Sequence, residues 1–145
     1  SGLLHDIGYN VLNFIAKDIS DTLYERLSAA SGIALLEIEQ ELLGTHHGEI
    51  GAQLAAHWGL PAEIIAVIRY HHIPDHTNAE VGQPLVKLVN IAEKMLPDFV
   101  NAEHTTQLIT EQECIDLGID PSRADAITDE IGIVAEHVAQ LASTA

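Results

Sequence analysis

Apolar residues recur at helical spacing along nearly the whole chain, and this periodicity is the strongest constraint on its fold. The spacing predicts a first helix over about Leu3 to Ala16 and a last helix that starts at Pro121. No segment alternates polar and apolar residues as a half-buried strand would. Glycine and proline separate the helical segments from one another, and the third and fourth helices are expected to end at Gly44 and Gly59. We therefore expect an all-α bundle of about seven or eight helices.

Capping residues and apolar stripes predict the inner helices. Ser20-Asp21 is expected to cap the second helix and Thr45 the fourth, and Trp58 is expected in the core. In the third helix, Glu39 is expected away from the apolar stripe, as are its two acidic neighbours. One stripe of the last helix is interpreted as intramolecular core, with a partner-helix interface as the alternative. That stripe consists of Ala124, Ile127, Ile131, Val134, Val138 and Leu141.

The composition fits one cytoplasmic domain that binds neither nucleic acid nor membrane. Of the 145 residues, 47% are hydrophobic, which is enough to build a core. Acidic residues outnumber basic ones by 22 to 6, and a net charge of −16 disfavours binding to phosphate backbones or anionic lipid. Acidic outer faces of helices explain this charge without a special role. The single cysteine, Cys114, fits a reducing compartment.

Histidine and aspartate cluster inside these apolar helical segments. The clusters are His5-Asp6, His46-His47 and His71-His72. Histidine favours neither a helix interior nor an apolar core, so the clusters indicate a metal site that several helices share. Mixed imidazole and carboxylate ligands suit Fe, Mn or Zn better than Ca or Mg. We therefore expect a divalent transition metal as the cofactor.

Four sequence phrases, in the same order, resemble the signature of a known family. The chain is similar to the HD superfamily of metal-dependent phosphohydrolases, and within it to the HDOD group of bacterial signalling domains. The resemblance covers residues 1 to about 96. The phrases are Gly2-Leu3-Leu4-His5-Asp6-Ile7-Gly8, His47-Gly48-Glu49-Ile50-Gly51-Ala52, Trp58-Gly59-Leu60-Pro61 and Ile68-Arg69-Tyr70-His71-His72.

The resemblance implies metal-ligand roles for the clustered residues. His5 and Asp6 match the doublet that ligates metal in active relatives. His47 matches the histidine of the next helix. His71 and His72 match a pair that completes a second metal site in the related HD-GYP phosphodiesterases.

Several departures from the family pattern argue against catalysis. Glu93 stands where a late aspartate ligand is expected, and it remains a candidate ligand. Tyr9, a candidate residue of the ligand pocket, stands where active HD-GYP relatives have a lysine that contacts phosphate. The Gly-Tyr-Pro segment expected after the second histidine doublet is replaced by Ile73-Pro74-Asp75-His76. Because of these departures from the family pattern, we do not expect the chain to hydrolyse cyclic dinucleotides. No catalytic residue is assigned.

We expect an HDOD-type output or interaction module of bacterial signal transduction with a degenerate metal or ligand pocket. The alternative is a metal-dependent phosphohydrolase that acts on a nucleotide or another phosphoester. A helical lobe precedes the doublet in HDOD proteins, so the chain is interpreted as a C-terminal portion of one. A protein partner or that lobe is expected to cover Leu3, Leu4 and Ile7. A nucleotide ligand and a homo-oligomer are further expectations.

Structural roles are the competing interpretation for the same residues. Asp6 could cap or hydrogen-bond a neighbouring helix, and His71 and His72 stand near a helix C-terminus, where cationic side chains are favoured. The remaining histidines are expected on the solvated surface. These are His46, His57, His76, His104 and His137.

Overall fold

The computed structural model describes residues 3–29, 35–95 and 109–143, and these residues form helices and turns without a strand. The all-α prediction is confirmed. The helices are α1 (Ile7–Ile15), α2 (Lys17–Ala29), α3 (Leu35–Leu43), α4 (His47–His57), α5 (Ala62–Tyr70), α6 (Leu85–Lys94), α7 (Glu111–Asp116) and α8 (Ala124–Ser143). Two short 3-10 helices cover Thr77–Gly82 and Pro121–Arg123. In the described residues, no helix is long and apolar enough to cross a membrane.

The chain forms two compact units, Ser1–Asn90 and Ile91–Ala145. The first contains α1 to α5 and the beginning of α6, and the second contains the end of α6, α7 and α8. The assignment of the whole chain to a single domain stays a prediction.

The core of the first unit consists of aliphatic side chains from successive helices. Leu12, Leu23, Leu27 and Ile38 join α1, α2 and α3. Ala52, Ala55 and Ile68 join α4 to α5, and a third group extends this core to α6. Burial of each large aliphatic side chain stabilises the fold by roughly 1.5–3 kcal/mol. This packing fixes α1, α4 and α5 against one another.

Glycine allows α1 to approach α4 at backbone distance. A Cβ atom at Gly8 would lie 2.0 Å from the carbonyl oxygen of His47. At Gly51, a Cβ atom would lie 2.9 Å from Ile7 and from Ile68. Only glycine fits these two positions without displacing a helix. The close contact brings the residues just before α1 next to the first residue of α4.

Two predicted N-caps are wrong. The second helix begins at Lys17, because the chain leaves helical geometry only at Ala16, and Ser20 is buried inside α2. The cap of α4 is His46 rather than Thr45, since the His46 Nδ1 accepts a hydrogen bond from the Glu49 amide. Burial lowers the pKa of His46, which favours the neutral form that accepts this bond. His46 is half-buried, so it is less exposed than the expected solvated surface residue.

Trp58 does not lie in the core. Its side chain is 53% exposed, and the residue is the C-cap of α4, directly before Gly59. Residues spaced by four drift around a helix, so Trp58 is rotated by about 80° from Ile50. The predicted ends of α3 and α4 are confirmed at Gly44 and Gly59, whose φ angles of 67° and 71° suit glycine.

The outer half of the α8 stripe is exposed, contrary to its interpretation as core. Ile127 and Ile131 are half-buried, whereas Val134 and Leu141 are 62% and 71% exposed. α7 has 6 residues and α8 has 20, so α7 is far too short to cover α8. The side chain of Val138 lies outside the described residues, as does all of His104.

The N-terminal apolar residues divide between solvent and core. Leu3 is exposed, as expected for a surface that a partner or further lobe covers. Leu4 and Ile7 are half-buried and pack against the buried group on α4 and α5, so the chain itself covers part of their surface. Ile7 reaches this group because Gly51 leaves space beside it.

Candidate metal centre

The start of α1, the start of α4 and the end of α5 carry the residues of one polar cluster. Asp6 directly precedes α1, and His47 is the first residue of α4. His71 is the C-cap residue of α5, and His72 follows it. One potential ligand atom from each of these four residues lies within 4.8 Å of the others. Residues far apart in sequence thus meet at one point, as the family resemblance implied.

Three of the donor atoms have the spacing of ligands around a single ion. The Nε2 atoms of His47 and His71 lie 3.1 Å apart. Oδ1 of Asp6 lies 3.6 Å from each of these nitrogens. Two atoms that bind one ion at about 2.1 Å are about 3.0–3.4 Å apart in octahedral or tetrahedral geometry. The cluster is therefore close to the size that a transition metal requires.

The hydrogen bonds of the two buried imidazoles direct their Nε2 atoms at each other. Nδ1 of His71 lies 2.9 Å from the carbonyl oxygen of Ile68, so this nitrogen donates. Nδ1 of His47 donates to the carboxylate of Glu39, with distances of 2.8 and 3.0 Å to its two oxygens. In neutral rings, both Nε2 lone pairs then face the cluster. Two lone pairs at this separation repel unless a proton or a cation lies between them, and this arrangement fits a metal site.

The carboxylate of Asp6 is turned toward the histidines. Asp6 occupies the N-cap position of α1 but makes no side-chain capping bond in the described part of the chain. Its Oδ2 lies 2.9 Å from Nε2 of His5, which places His5 beside the cluster. Burial acts to raise the pKa of Asp6, but the hydrogen bond from His5 and the adjacent imidazoles of His71 and His47 lower it well below its usual range. An ionised Asp6 is the form that binds a cation.

Neighbouring side chains hold the cluster in place. The Tyr9 ring stacks on the His47 imidazole, with centroids 4.2 Å apart and planes 16° apart. Asn90 donates to the carbonyl oxygen of His71 at 2.7 Å, which ties α6 to the end of α5. His47 and His71 are both fully buried, whereas the Asp6 side chain is 41% exposed. Solvent therefore meets the outer part of the Asp6 side chain, whereas its Oδ1, which faces the histidines, is buried.

Glu93 is part of the second unit, and three of the remaining histidines are exposed. Glu93 is buried on α6 and belongs to the second unit, and its role as a ligand stays a prediction. His57 and His137 are exposed, as expected. His76 is exposed as well, but it also caps the Thr77–Gly82 helix and stacks on Tyr70.

Glu39 is the residue that the sequence analysis missed. It is fully buried, although it was expected on an outer face of α3. Leu35 precedes it by four positions and Leu42 follows it by three, so Glu39 lies within the apolar stripe. A glutamate on such a stripe is seldom fully buried without a partner. This position was the available signal, and the partner is His47.

Comparison with known families identifies the first half of the chain. A sequence model of the HDOD domain matches residues 1–74. This chain belongs to the HDOD domain family. HDOD domains are part of the HD superfamily, and the matched segment contains His5, Asp6, His47, His71 and His72. The HDOD match thus covers the complete histidine cluster of the first unit.

One relative of this HDOD domain is an uncharacterized protein of Treponema pallidum (strain Nichols). The two sequences are 34% identical over 91 residues, which is 63% of this chain. The chain spans 17% of the length of that protein. No solved structure matches the chain.

Proposed function

We propose that this HDOD domain is a metal-binding interaction module of signal transduction, which acts by binding rather than by hydrolysis. The observation that supports the proposal best is the pair of Nε2 atoms 3.1 Å apart, with Asp6 Oδ1 at 3.6 Å from each. Asp6, His47 and His71 would hold one divalent ion, and His72 is the fourth donor. Zn, Fe and Mn are the ions that suit this ligand set.

The bound ion would be a structural link between three helices. Its ligands come from the start of α1, the start of α4 and the end of α5. Four protein ligands fill a tetrahedral shell, which is typical of structural zinc, whereas catalytic zinc keeps an open position. Binding energy at such a site is also folding energy. The ion would therefore stabilise the arrangement of these helices and any surface that they present to a partner.

The basic residues of the first unit support binding rather than phosphoester hydrolysis. Residues 1–90 contain four of the 6 Lys and Arg, and each is ion-paired with a carboxylate. The pairs are Lys17–Asp21, Arg26–Glu41, Arg69–Glu49 and Lys87–Asp75. Tyr9, where active relatives have lysine, is neutral and stacks on His47. A phosphate at the ion would thus lack the additional lysine or arginine contact that helps to stabilise its transition state.

A metal-dependent phosphohydrolase is the second candidate, because the Asp6 side chain at the edge of the cluster is partly exposed. If only Asp6, His47 and His71 bound the ion, a water molecule could occupy the remaining position. A divalent ion supplies Lewis acidity and lowers the pKa of a bound water. This candidate differs from the first in one measurable property, which is turnover.

Metal titration and a hydrolysis assay on the same protein test the proposal. Isothermal titration calorimetry of the metal-free chain with Zn²⁺ is expected to give one ion per chain. Asp6→Ala should weaken binding by about 100-fold or more, because loss of an outer partner alone typically costs 10–100-fold. Asp75→Ala, which removes an exposed aspartate, is the matched control and should bind as the wild type does.

The hydrolysis assay separates the two candidates. With Mn²⁺ and bis(p-nitrophenyl) phosphate, the wild type should release no more product than Mn²⁺ alone. Turnover that disappears in Asp6→Ala would instead establish the phosphohydrolase. Absence of Zn²⁺ and Mn²⁺ binding would contradict both candidates.

A further inference from the structure

Within the described part of the chain, the short contacts of the Glu39 carboxylate are with one residue, His47. Its Oε1 lies 2.8 Å from Nδ1 of His47, and its Oε2 lies 3.0 Å from the same nitrogen. Oε2 also accepts a hydrogen bond of 3.1 Å from the backbone amide of His47. Both side chains are completely buried. A carboxylate with these contacts holds His47 at two points, the ring nitrogen Nδ1 and the backbone amide.

The position of His47 explains both points of contact. His47 is the first residue of α4, and its amide is one of the helical donors that have no partner inside the helix. A negative charge at this end of a helix is favourable. Glu39 therefore accepts the hydrogen bond of the first amide of α4. The same carboxylate fixes the His47 ring relative to that helix.

The two buried imidazoles of the cluster differ in what supports them. Nδ1 of His71 donates to a neutral acceptor, the carbonyl oxygen of Ile68. Nδ1 of His47 donates to a carboxylate, and such a charge-assisted hydrogen bond orients a ligating histidine more firmly than a neutral acceptor does.

We propose that Glu39 is a positioning residue that keeps the proton of His47 on Nδ1 and thereby presents Nε2 to a divalent ion. This inference rests on the proposed metal site. Without an acceptor at Nδ1, a neutral His47 would carry its proton on Nε2, where His71 Nε2 accepts it at 3.1 Å. That tautomer has no lone pair on Nε2, the nitrogen that faces the cluster. Glu39 thus selects the form of His47 that binds an ion.

Two substitutions separate the charge of Glu39 from its role as an acceptor. In Glu39→Gln, the amide oxygen still accepts from Nδ1, but the charge is lost. In Glu39→Met, a side chain of similar length has no strong acceptor. Co²⁺ is the probe, because its visible absorption reports the coordination geometry. We expect Glu39→Gln to weaken Co²⁺ binding by about 10-fold and Glu39→Met by about 100-fold, the usual range for an outer partner.

Glu41→Gln is the matched control. Glu41 lies on the same helix and pairs with Arg26 at the surface, so the same chemical change there should leave Co²⁺ affinity unaltered. Circular dichroism of each variant checks that the helices are retained. If Glu39→Met binds Co²⁺ as tightly as Glu41→Gln does, Glu39 is not a positioning residue.

A second measurement tests the effect of Glu39 on the tautomer of His47 in the absence of metal. Nitrogen-15 NMR of the metal-free protein should show a proton on Nδ1 of His47 in the wild type and in Glu39→Gln, and on Nε2 in Glu39→Met. A wild type with an unprotonated Nδ1 would overturn the proposal. If the wild type binds no Co²⁺, the metal site itself is wrong, and the tautomer alone decides whether Glu39 orients the ring.

Discussion

Gly8→Ala is expected to lower the free energy of unfolding by about 3 kcal/mol, at the upper end of the usual cost of overpacking. The added Cβ atom would lie 2.0 Å from the main-chain oxygen of His47 and 2.7 Å from its carbonyl carbon. Main-chain atoms cannot move aside as a flexible side chain does, so α1 must shift away from α4. The shift would also separate Asp6 from His47. Urea denaturation followed by circular dichroism measures the loss.

Gly132→Ala is the matched control for this prediction. Gly132 lies inside α8, and a Cβ atom there would meet nothing within 4 Å. Because alanine is a better helix former than glycine, the substitution should be neutral or stabilising by up to about 1 kcal/mol. Equal unfolding midpoints for Gly8→Ala and Gly132→Ala would show that α1 and α4 are not in backbone contact.

Zn²⁺ is expected to raise the melting temperature of the metal-free chain by roughly 10 °C when its free concentration is far above Kd. A ligand that binds only the folded state adds about 4.1 kcal/mol at 1,000 times Kd. For a domain of this size, each kcal/mol corresponds to roughly 2–4 °C. The effect is large because the ligands come from three separate helices. Differential scanning fluorimetry with and without Zn²⁺ measures it.

Single substitutions identify the residues responsible for this stabilisation. Asp6→Ala and His71→Ala should each remove most of the Zn²⁺-dependent rise in melting temperature, because each deletes a donor atom from the cluster. His57→Ala removes an exposed histidine from the end of α4 and should keep the full rise. A rise that persists in Asp6→Ala would mean that Zn²⁺ binds elsewhere.

Features that depend on neighbouring residues in sequence were predicted well. The ends of α3 and α4 follow from Gly44 and Gly59, whose positive φ angles are a local requirement. The histidine and aspartate cluster was also located, because Asp6 and His47 stand in sequence phrases that the HDOD family shares. These features need no knowledge of how distant helices pack.

Features that depend on packing between distant elements were not predicted. Glu39 lies on the apolar stripe of α3, but its partner, His47, is on another helix. Helical periodicity does not reveal such a contact. Trp58 and Val134 are apolar and were expected in the core, yet neither meets enough neighbouring structure to be covered. A helical stripe shows which face is apolar, but the length and position of the neighbouring helices determine how much of it is buried.

X-ray absorption spectroscopy at the zinc edge of the Zn²⁺-loaded protein tests the central claim most directly, because it reports the atoms bound to the ion. The geometry predicts nitrogen and oxygen neighbours at about 2.0–2.2 Å, with the outer-shell signal of at least two imidazoles. His47→Ala should lose one imidazole from that signal. A first shell of oxygen alone, or a spectrum that His47→Ala leaves unchanged, would contradict a metal site at Asp6, His47 and His71.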